Sequence, residues 1–253
     1  MPRLKLTLAY DGTAFCGWQI QQGRPERTVQ QVLERALEDI CAEPVRVHGA
    51  GRTDSGVHAL GQVAHCDVPA ARAGVPWARA LGARLPDDVS VLAAEVVDDA
   101  FHARFSAQAK TYTYSLWPEG RYHIPQRRNF AWATGPLDEA AMDAAARHMT
   151  GTRDFRCFQN TGTPVNSTVR TVLAVVRGPG VFPGETDWRF CADGFLKQMV
   201  RNMMGLLVAV GRGRFAPGDV ERIVAGRERA VAFATAPARG LCLTRVHYDP
   251  PLP

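Results

Sequence analysis

The chain is organised around the loop Gly49–His58, with the sequence GAGRTDSGVH, which joins two strand-like runs at residues 45–47 and 62–68. Its three glycines give the backbone access to positive φ and allow another segment to come close. Between them the loop carries one cation, Arg52, and one carboxylate, Asp54. Catalytic groups tend to collect on loops held by a rigid scaffold, so this loop is the first candidate for a functional site.

The tripeptide Asp-Ser-Gly on its own is equally typical of an ordinary turn, in which the Asp or Ser side chain bonds to its own backbone. The longer sequence GRTDSGVH is more specific. It resembles the signature of the tRNA pseudouridine synthases of the TruA family, in which the aspartate is catalytic. The resemblance implies that Asp54 is the catalytic carboxylate. It also implies that Arg52 contacts a phosphate or fills the space left by a flipped base.

Three more segments resemble the same family. They are YDG through GWQ at residues 10–19, FHAR at 101–104 and MVRN at 199–202. With the Asp54 loop they cover the chain from Tyr10 to about Tyr248, although the stretch 158–168 is less like the family.

The resemblance also assigns roles to individual residues outside the loop. Tyr112 matches the active-site tyrosine that lies against the uracil; Tyr114 has the same strand parity, but the motif favours Tyr112. Arg201 matches an arginine that pairs with the catalytic aspartate, and Leu241 follows a glycine in a segment near the uracil ring. The candidate RNA contacts are Arg24, Arg27, His58, His102 and Arg104.

The charge balance favours an acidic partner. The formal net charge is +5 and the isoelectric point is near 9.1. Only three of the 30 basic residues are lysines, and arginine suits bidentate phosphate contacts and stacking on bases. A GC-rich genome that biases codons toward arginine explains the same composition equally well.

The cysteines and the hydropathy pattern exclude several classes of protein. The six cysteines are scattered singly, without a Cys-x-x-Cys pair or a histidine at zinc-finger spacing, so no metal site is expected. No run of 18 or more apolar residues suggests a membrane span. The start of the chain leads into strand-like sequence without a secretory signal pattern, so we expect a cytoplasmic protein.

Hydrophobic periodicity predicts an α+β fold made of two ferredoxin-like (βαββαβ, RRM-like) halves with mixed or antiparallel sheets. The first half, residues 1–105, has strands at 4–10, 45–47, 62–68 and 89–97, a helix starting after Thr28, and a short helix around 77–85. The second half, residues 106–253, has strands at 110–116, 168–177, 188–192 and 243–248, and helices at 137–149, 197–210 and 219–225. The two halves are expected to meet at a central catalytic cleft.

Two segments leave open how their side chains are used. The aromatic rings of Phe15 and Trp18 lie among amides, so they could stack on bases, but each ring taken singly is more typical of a core. The helix 197–210 has an apolar stripe, which turns Arg201 toward a cleft or toward solvent. The family motif favours the cleft, with Arg201 within about 4 Å of Asp54.

The implied reaction converts uridine to pseudouridine in the anticodon stem-loop of tRNA, at positions 38–40 by family resemblance. It gains no atoms and involves no redox change, so it needs no cofactor. A carboxylate could act by attack at C1′, by attack at C6 or through a glycal. The family is homodimeric. An aspartic protease and a non-catalytic RNA-binding module are the alternatives, but the first needs a second Asp-Thr/Ser-Gly element and the second an RNP-type run, and neither occurs.

Overall fold

The computed structural model describes residues 1–21, 23, 26–160, 165–226 and 233–249. The chain forms two compact units: residues 1–108 with the segment from Cys242 onward, and residues 109–241. The sequence-based division lies at 105/106 and leaves the last strand in the second half. In the structure, residues from Cys242 onward group with residues 1–108, and Cys242 and Leu243 pair in parallel with His58 and Ala59; the sequence-based division stays a prediction.

The first unit is a mixed sheet with two helices. Its elements are β1 (Arg3–Tyr10), α1 (Val29–Cys41), β2 (His48–Gly49), β3 (His58–Asp67), α2 (Trp77–Gly82), β4 (Val89–Val97) and, from the end of the chain, β10 (Leu241–His247). The strand order is β4-β1-β3, and β2 and β10 pair with different parts of the remaining edge of β3.

Local sequence explains most of these elements. Leu4, Leu6 and Leu8 alternate with half-buried residues along β1 and are fully buried on one face. Thr28 caps α1, since its hydroxyl accepts from the Gln31 N–H at 3.3 Å. The predicted strand at residues 4–10, the predicted helix after Thr28 and the predicted strand at residues 89–97 are therefore confirmed.

The predicted strand at residues 45–47 is wrong. Val47 is buried, but its backbone is bound by side chains of α1. Its N–H donates to Glu34 Oε1 at 3.0 Å, and its carbonyl accepts from Gln30 Nε2 at 3.1 Å. With both backbone groups satisfied by the helix, ladder pairing begins only at His48. The following strand starts at His58, four residues earlier than predicted.

The strands of the second unit pair in both directions. The elements of this unit are β5 (Ala109–Trp117), β6 (Trp132–Ala133), α3 (Glu139–Ala146), β7 (Gly151–Asp154), β8 (Val169–Pro179), β9 (Thr186–Ala192), α4 (Met199–Gly211) and α5 (Asp219–Gly226). The strand order is β5-β9-β8-β7, antiparallel throughout, and β6 pairs in parallel with β5.

The helix α4 is the centre of the second unit's core. We predicted an apolar stripe on one side, but every residue of the helix except Arg201 is buried. Gly205 allows this close packing, since a Cβ there would lie 1.9 Å from the Ala234 carbonyl oxygen. The single-face prediction is therefore wrong, because α4 is packed from several directions.

Within the described ranges, no helix has the length and apolar character needed to cross a membrane. The six cysteines carry free thiols, and Cys41, Cys66 and Cys157 are buried. Burial raises the pKa of Cys66 and Cys157 to about 12, which keeps both thiols protonated at neutral pH.

Candidate active site

The candidate catalytic loop runs from the end of β2 into the first residue of β3. Asp54 is half-buried and Arg52 is exposed. The loop turns tightly after the aspartate, where the Val57 N–H donates to the Asp54 carbonyl at 3.1 Å. Gly56 takes a positive φ of 77° in this turn, a conformation that glycine adopts without strain.

A buried hydrogen-bond network holds the loop from below. The Tyr10 hydroxyl and Thr53 Oγ1 lie 2.8 Å apart, and Gln62 Nε2 donates to the Gly51 carbonyl at 2.8 Å. Tyr10, Thr53 and Gln62 are all buried. Burial raises the pKa of Tyr10, so its hydroxyl stays protonated at neutral pH. The residues on the amino-terminal side of Asp54 are thus fixed to β1 and β3.

The amino-terminal segment 10–19 braces the same loop from another side. The Trp18 N–H donates to the Thr53 carbonyl at 3.0 Å, and the Phe15 carbonyl accepts from Ser55 Oγ at 3.2 Å. Two glycines let the segments touch. A Cβ at Gly17 would lie 2.6 Å from the Thr53 carbonyl oxygen, and one at Gly12 would lie 2.0 Å from the Val57 carbonyl oxygen.

These contacts decide whether the aromatic rings in residues 10–19 stack on bases or pack in the core. Phe15 and Trp18 are each only 2% exposed, so both rings belong to the core. Trp18 lies against Gly49 so closely that a Cβ there would come within 2.6 Å of the indole. The two family-like motifs at 10–19 and 49–58 therefore form one structural unit around Asp54.

Three of the five predicted RNA contacts, Arg27, His58 and His102, have polar groups bound inside the protein. Arg27 makes a two-point ion pair with Asp88, at 2.6 and 2.8 Å, and its guanidinium lies 4.1 Å from the centroid of the Phe15 ring. His58 is buried, and its Nδ1 accepts from the Gly12 N–H at 3.0 Å.

Arg104 is exposed and His102 is half-buried, both on the turn between β4 and β5. Arg24 lies outside the described residues. None of the five contacts is tested by the geometry of the protein alone, so each stays a prediction.

The two tyrosines of β5 differ in their surroundings. The Tyr114 hydroxyl donates to the Pro237 carbonyl at 2.7 Å, and burial raises the pKa of Tyr114. Tyr112 is 8% exposed, and its ring meets Phe195 edge-on with centroids 5.2 Å apart. Tyr114 is therefore used in holding the segment around Pro237.

Arg201 is tied to the segment that follows the undescribed residues 227–232. Its Nε donates to the Ala236 carbonyl at 2.8 Å, and the Ala236 N–H donates to the Arg201 carbonyl at 3.0 Å. The next residue, Asn202, is fully buried; its amide nitrogen donates to the Phe158 carbonyl at 2.7 Å, and its amide oxygen accepts from Thr235 Oγ1 at 2.7 Å.

Leu241 is buried at the start of β10. The preceding Gly240 is required by packing, since a Cβ there would lie 2.5 Å from the Tyr114 ring. Of the predicted site residues, Tyr112, Arg201 and Leu241 belong to the second unit, and Asp54 and Arg52 belong to the first. The predicted pairing of Arg201 with Asp54 stays a prediction.

Sequence reasoning gave no supporting role to Tyr10, Gln62 or Asn202, although Tyr10 and Asn202 lie in motifs that it singled out. Tyr10, Gln62 and Asn202 are polar residues inside apolar patterns, and such residues are buried only when they are hydrogen-bonded. That signal could have selected them, but it could not have named their partners. Over the part of the chain with described coordinates, no group of three His, Cys, Asp or Glu side chains could hold a metal ion.

Comparisons with known proteins agree with the motifs. A family model described as tRNA pseudouridine synthase matches residues 7–106 and 145–249. A protein of Oleidesulfovibrio alaskensis named tRNA pseudouridine synthase A is 56% identical, over 98% of this chain and 97% of its own length. Proteins with the same name from Solidesulfovibrio magneticus and Geobacillus kaustophilus are 57% and 42% identical, over 99% and 98% of this chain and 93% and 95% of their own lengths. With matches of this extent, the chain belongs to the tRNA pseudouridine synthase family.

Proposed function

We propose that this chain isomerises uridine to pseudouridine in the anticodon stem-loop of tRNA, at positions 38–40, with Asp54 as the catalytic carboxylate and without a cofactor. The observation that carries the proposal is the setting of Asp54. Its carboxylate lies on a half-buried loop whose backbone is fixed by the buried side chains of Tyr10 and Gln62. Accurate positioning of a reacting group removes much of the entropic barrier to its reaction.

The chemistry requires one well-placed carboxylate. The bond from N1 to C1′ breaks, the uracil turns, C5 bonds to C1′, and the proton on C5 leaves. Atoms and electrons balance without an oxidant or a second substrate. The Asp54 carboxylate serves as the nucleophile at C1′ or C6, or as the base of the glycal path. Because the uridine must leave its stack first, the site also needs a pocket for a flipped nucleotide.

Residues of the second unit complete the proposed site. Tyr112 lies against the uracil and assists removal of the C5 proton, Leu241 contacts the ring, and Arg201 pairs with Asp54 and orients it. The tether from Arg201 Nε to the Ala236 carbonyl supports this role, since it limits the positions that the guanidinium can take.

The proposed RNA contacts follow their placement in the protein. The exposed Arg52 and Arg104 are suited to phosphate contacts. The side chains of Arg27 and His58 bind other groups within the protein. They therefore support RNA binding indirectly, by holding the loop and the neighbouring segments in place.

The proposal includes three features of the whole protein. It works as a homodimer in the cytoplasm, and each half, residues 1–105 and 106–253, has a ferredoxin-like layout. The order β4-β1-β3-β2 around α1 and α2 supports that layout for the first half. Family membership also favours a synthase over the aspartic protease and the non-catalytic RNA-binding module.

The test compares Asp54→Asn with Asp39→Asn. Both changes remove one negative charge, but Asp39 is exposed on α1. We expect Asp54→Asn to form no pseudouridine in unmodified tRNA while its Kd for tRNA stays within about tenfold, because phosphate contacts supply most of the affinity. Asp39→Asn should keep full turnover. Substantial product from Asp54→Asn would refute the assignment of Asp54.

A further inference from the structure

The turn at residues 102–106 presents an aromatic ring to solvent. Phe105 is 76% exposed, whereas Phe15, Phe155 and Phe190 are buried. The Phe105 ring lies 4.2 Å from that of His102, centroid to centroid, with an angle of 34° between the planes. The Arg104 guanidinium lies 5.7 Å from the centroid of the same ring.

The exposure of Phe105 does not come from a loosely held loop. His102 Nδ1 accepts from the N–H groups of Arg104 and Phe105, at 3.1 and 3.3 Å. Ser106 closes the turn in both directions: its Oγ accepts from the His102 N–H at 3.0 Å, and its own N–H donates to the His102 carbonyl at 2.9 Å. The backbone that carries Phe105 is therefore fixed by four hydrogen bonds.

The turn is also anchored to the sheet beneath it. Ala103 is fully buried; its N–H donates to His65 Nδ1 at 3.2 Å, and its carbonyl accepts from the Tyr248 hydroxyl at 2.8 Å. The His65 and His102 rings lie 4.5 Å apart. Burial lowers the pKa of both imidazoles, so they remain neutral acceptors at pH 7.

We propose that Phe105, flanked by Arg104 and backed by His102, is a stacking platform for an unpaired base of the tRNA substrate. The ring offers a flat apolar surface, and the guanidinium beside it can reach the phosphate of the stacked nucleotide. A docking site for a protein would be expected to have apolar residues around the ring, whereas Phe105 has a cation beside it. This inference rests on the proposed function, and it adds a binding residue that takes no part in the chemistry proposed for Asp54.

Four variants test the platform, with tRNA affinity and turnover measured separately. Phe105→Ala should weaken tRNA binding about 5- to 150-fold, the range observed when one base–aromatic stack is lost. Its kcat at saturating tRNA should stay within about twofold, because a contact equally strong in ground and transition states affects KM alone. Phe105→Leu keeps apolar area without a π-face and should bind nearly as weakly, whereas Phe105→Trp should bind at least as tightly as the wild type. Phe182→Ala is the matched control, since that partly exposed ring also has an arginine, Arg127, 5.8 Å from its centroid.

A second readout separates stacking from other effects. The fluorescence of Phe105→Trp should be quenched on addition of tRNA, relative to the wild-type change. Wild-type affinity in Phe105→Ala, or in Phe105→Leu, would overturn the platform. A change in oligomeric mass in Phe105→Ala would assign the ring to a contact with a second copy and would also overturn it. If the wild type forms no pseudouridine, the proposed function fails instead, and the two failures are distinct.

Discussion

Replacing His65 by asparagine should flatten the pH dependence of folding stability. His65 is 3% exposed on β3 and lies against both His48 and His102, at centroid distances of 5.1 and 4.5 Å. Burial, followed by repulsion from His102, His48 and Arg3, lowers the pKa of His65 to about 4, and nearby Asp67 opposes the shift only weakly. Asparagine does not titrate, but its Oδ1 can still accept the Ala103 N–H that His65 Nδ1 accepts.

The magnitude follows from the two protonation states. In the unfolded chain a histidine has a pKa of about 6.5, whereas the pKa of folded His65 is about 4. Between these two pH values the unfolded state binds a proton that the folded state does not bind. Stability from this residue is therefore complete above about pH 6.5 and is lost as the pH falls toward 4. Lowering the pH from 7.5 to 5.0 should cost the wild type about 2 kcal/mol through His65 alone.

Urea denaturation at pH 7.5 and 5.0 measures this effect. The free energy of unfolding should fall about 2 kcal/mol further in the wild type than in His65→Asn, since titrating groups that do not face His65 cancel in the comparison. The exposed His123, changed to asparagine, is the control and should keep the wild-type pH dependence. An identical fall in the wild type and His65→Asn would refute a neutral, buried His65.

Three further predictions concern the site. Tyr10→Phe removes the buried hydrogen bond to Thr53 Oγ1, so the free energy of unfolding should fall by about 1–3 kcal/mol. The kcat should also fall, with little change in KM. An unchanged kcat would show that the hydrogen-bond network does not position Asp54. Tyr112→Phe should bind tRNA normally and lose most of its turnover, whereas full activity would restrict the ring to packing. Arg201→Ala should lower turnover far more than tRNA affinity, and Arg201→Lys should retain more of it; equal activity in all three proteins would remove Arg201 from the mechanism.

The sequence predicts elements whose causes are local. The strand at residues 89–97 and the cap at Thr28 depend on alternation and on one side chain three residues from its partner. Val47 is mispredicted because Gln30 and Glu34, distant in sequence, bind its backbone. The periodicity of α4 predicts one buried face, but the number of neighbouring segments decides how many faces are buried.

The same distinction applies to the site. The Asp54 loop can be recognised from ten consecutive residues. The side chains that hold it come from β1 and β3, and no short motif predicts how they contact the loop. Arginine is a residue type that is typical of RNA contacts, yet Arg27 forms its ion pair with Asp88, 61 positions away. Phe105 lies next to a recognised motif, and only the structure reveals that its ring is exposed on a rigid turn.

The most direct test of the central claim is the map of pseudouridine in unmodified tRNA after incubation with the wild-type protein and with Asp54→Asn. Our account predicts pseudouridine at positions 38–40 with the wild type and none with the variant, although both bind the tRNA. The same modification by both proteins, or none by the wild type, would contradict it.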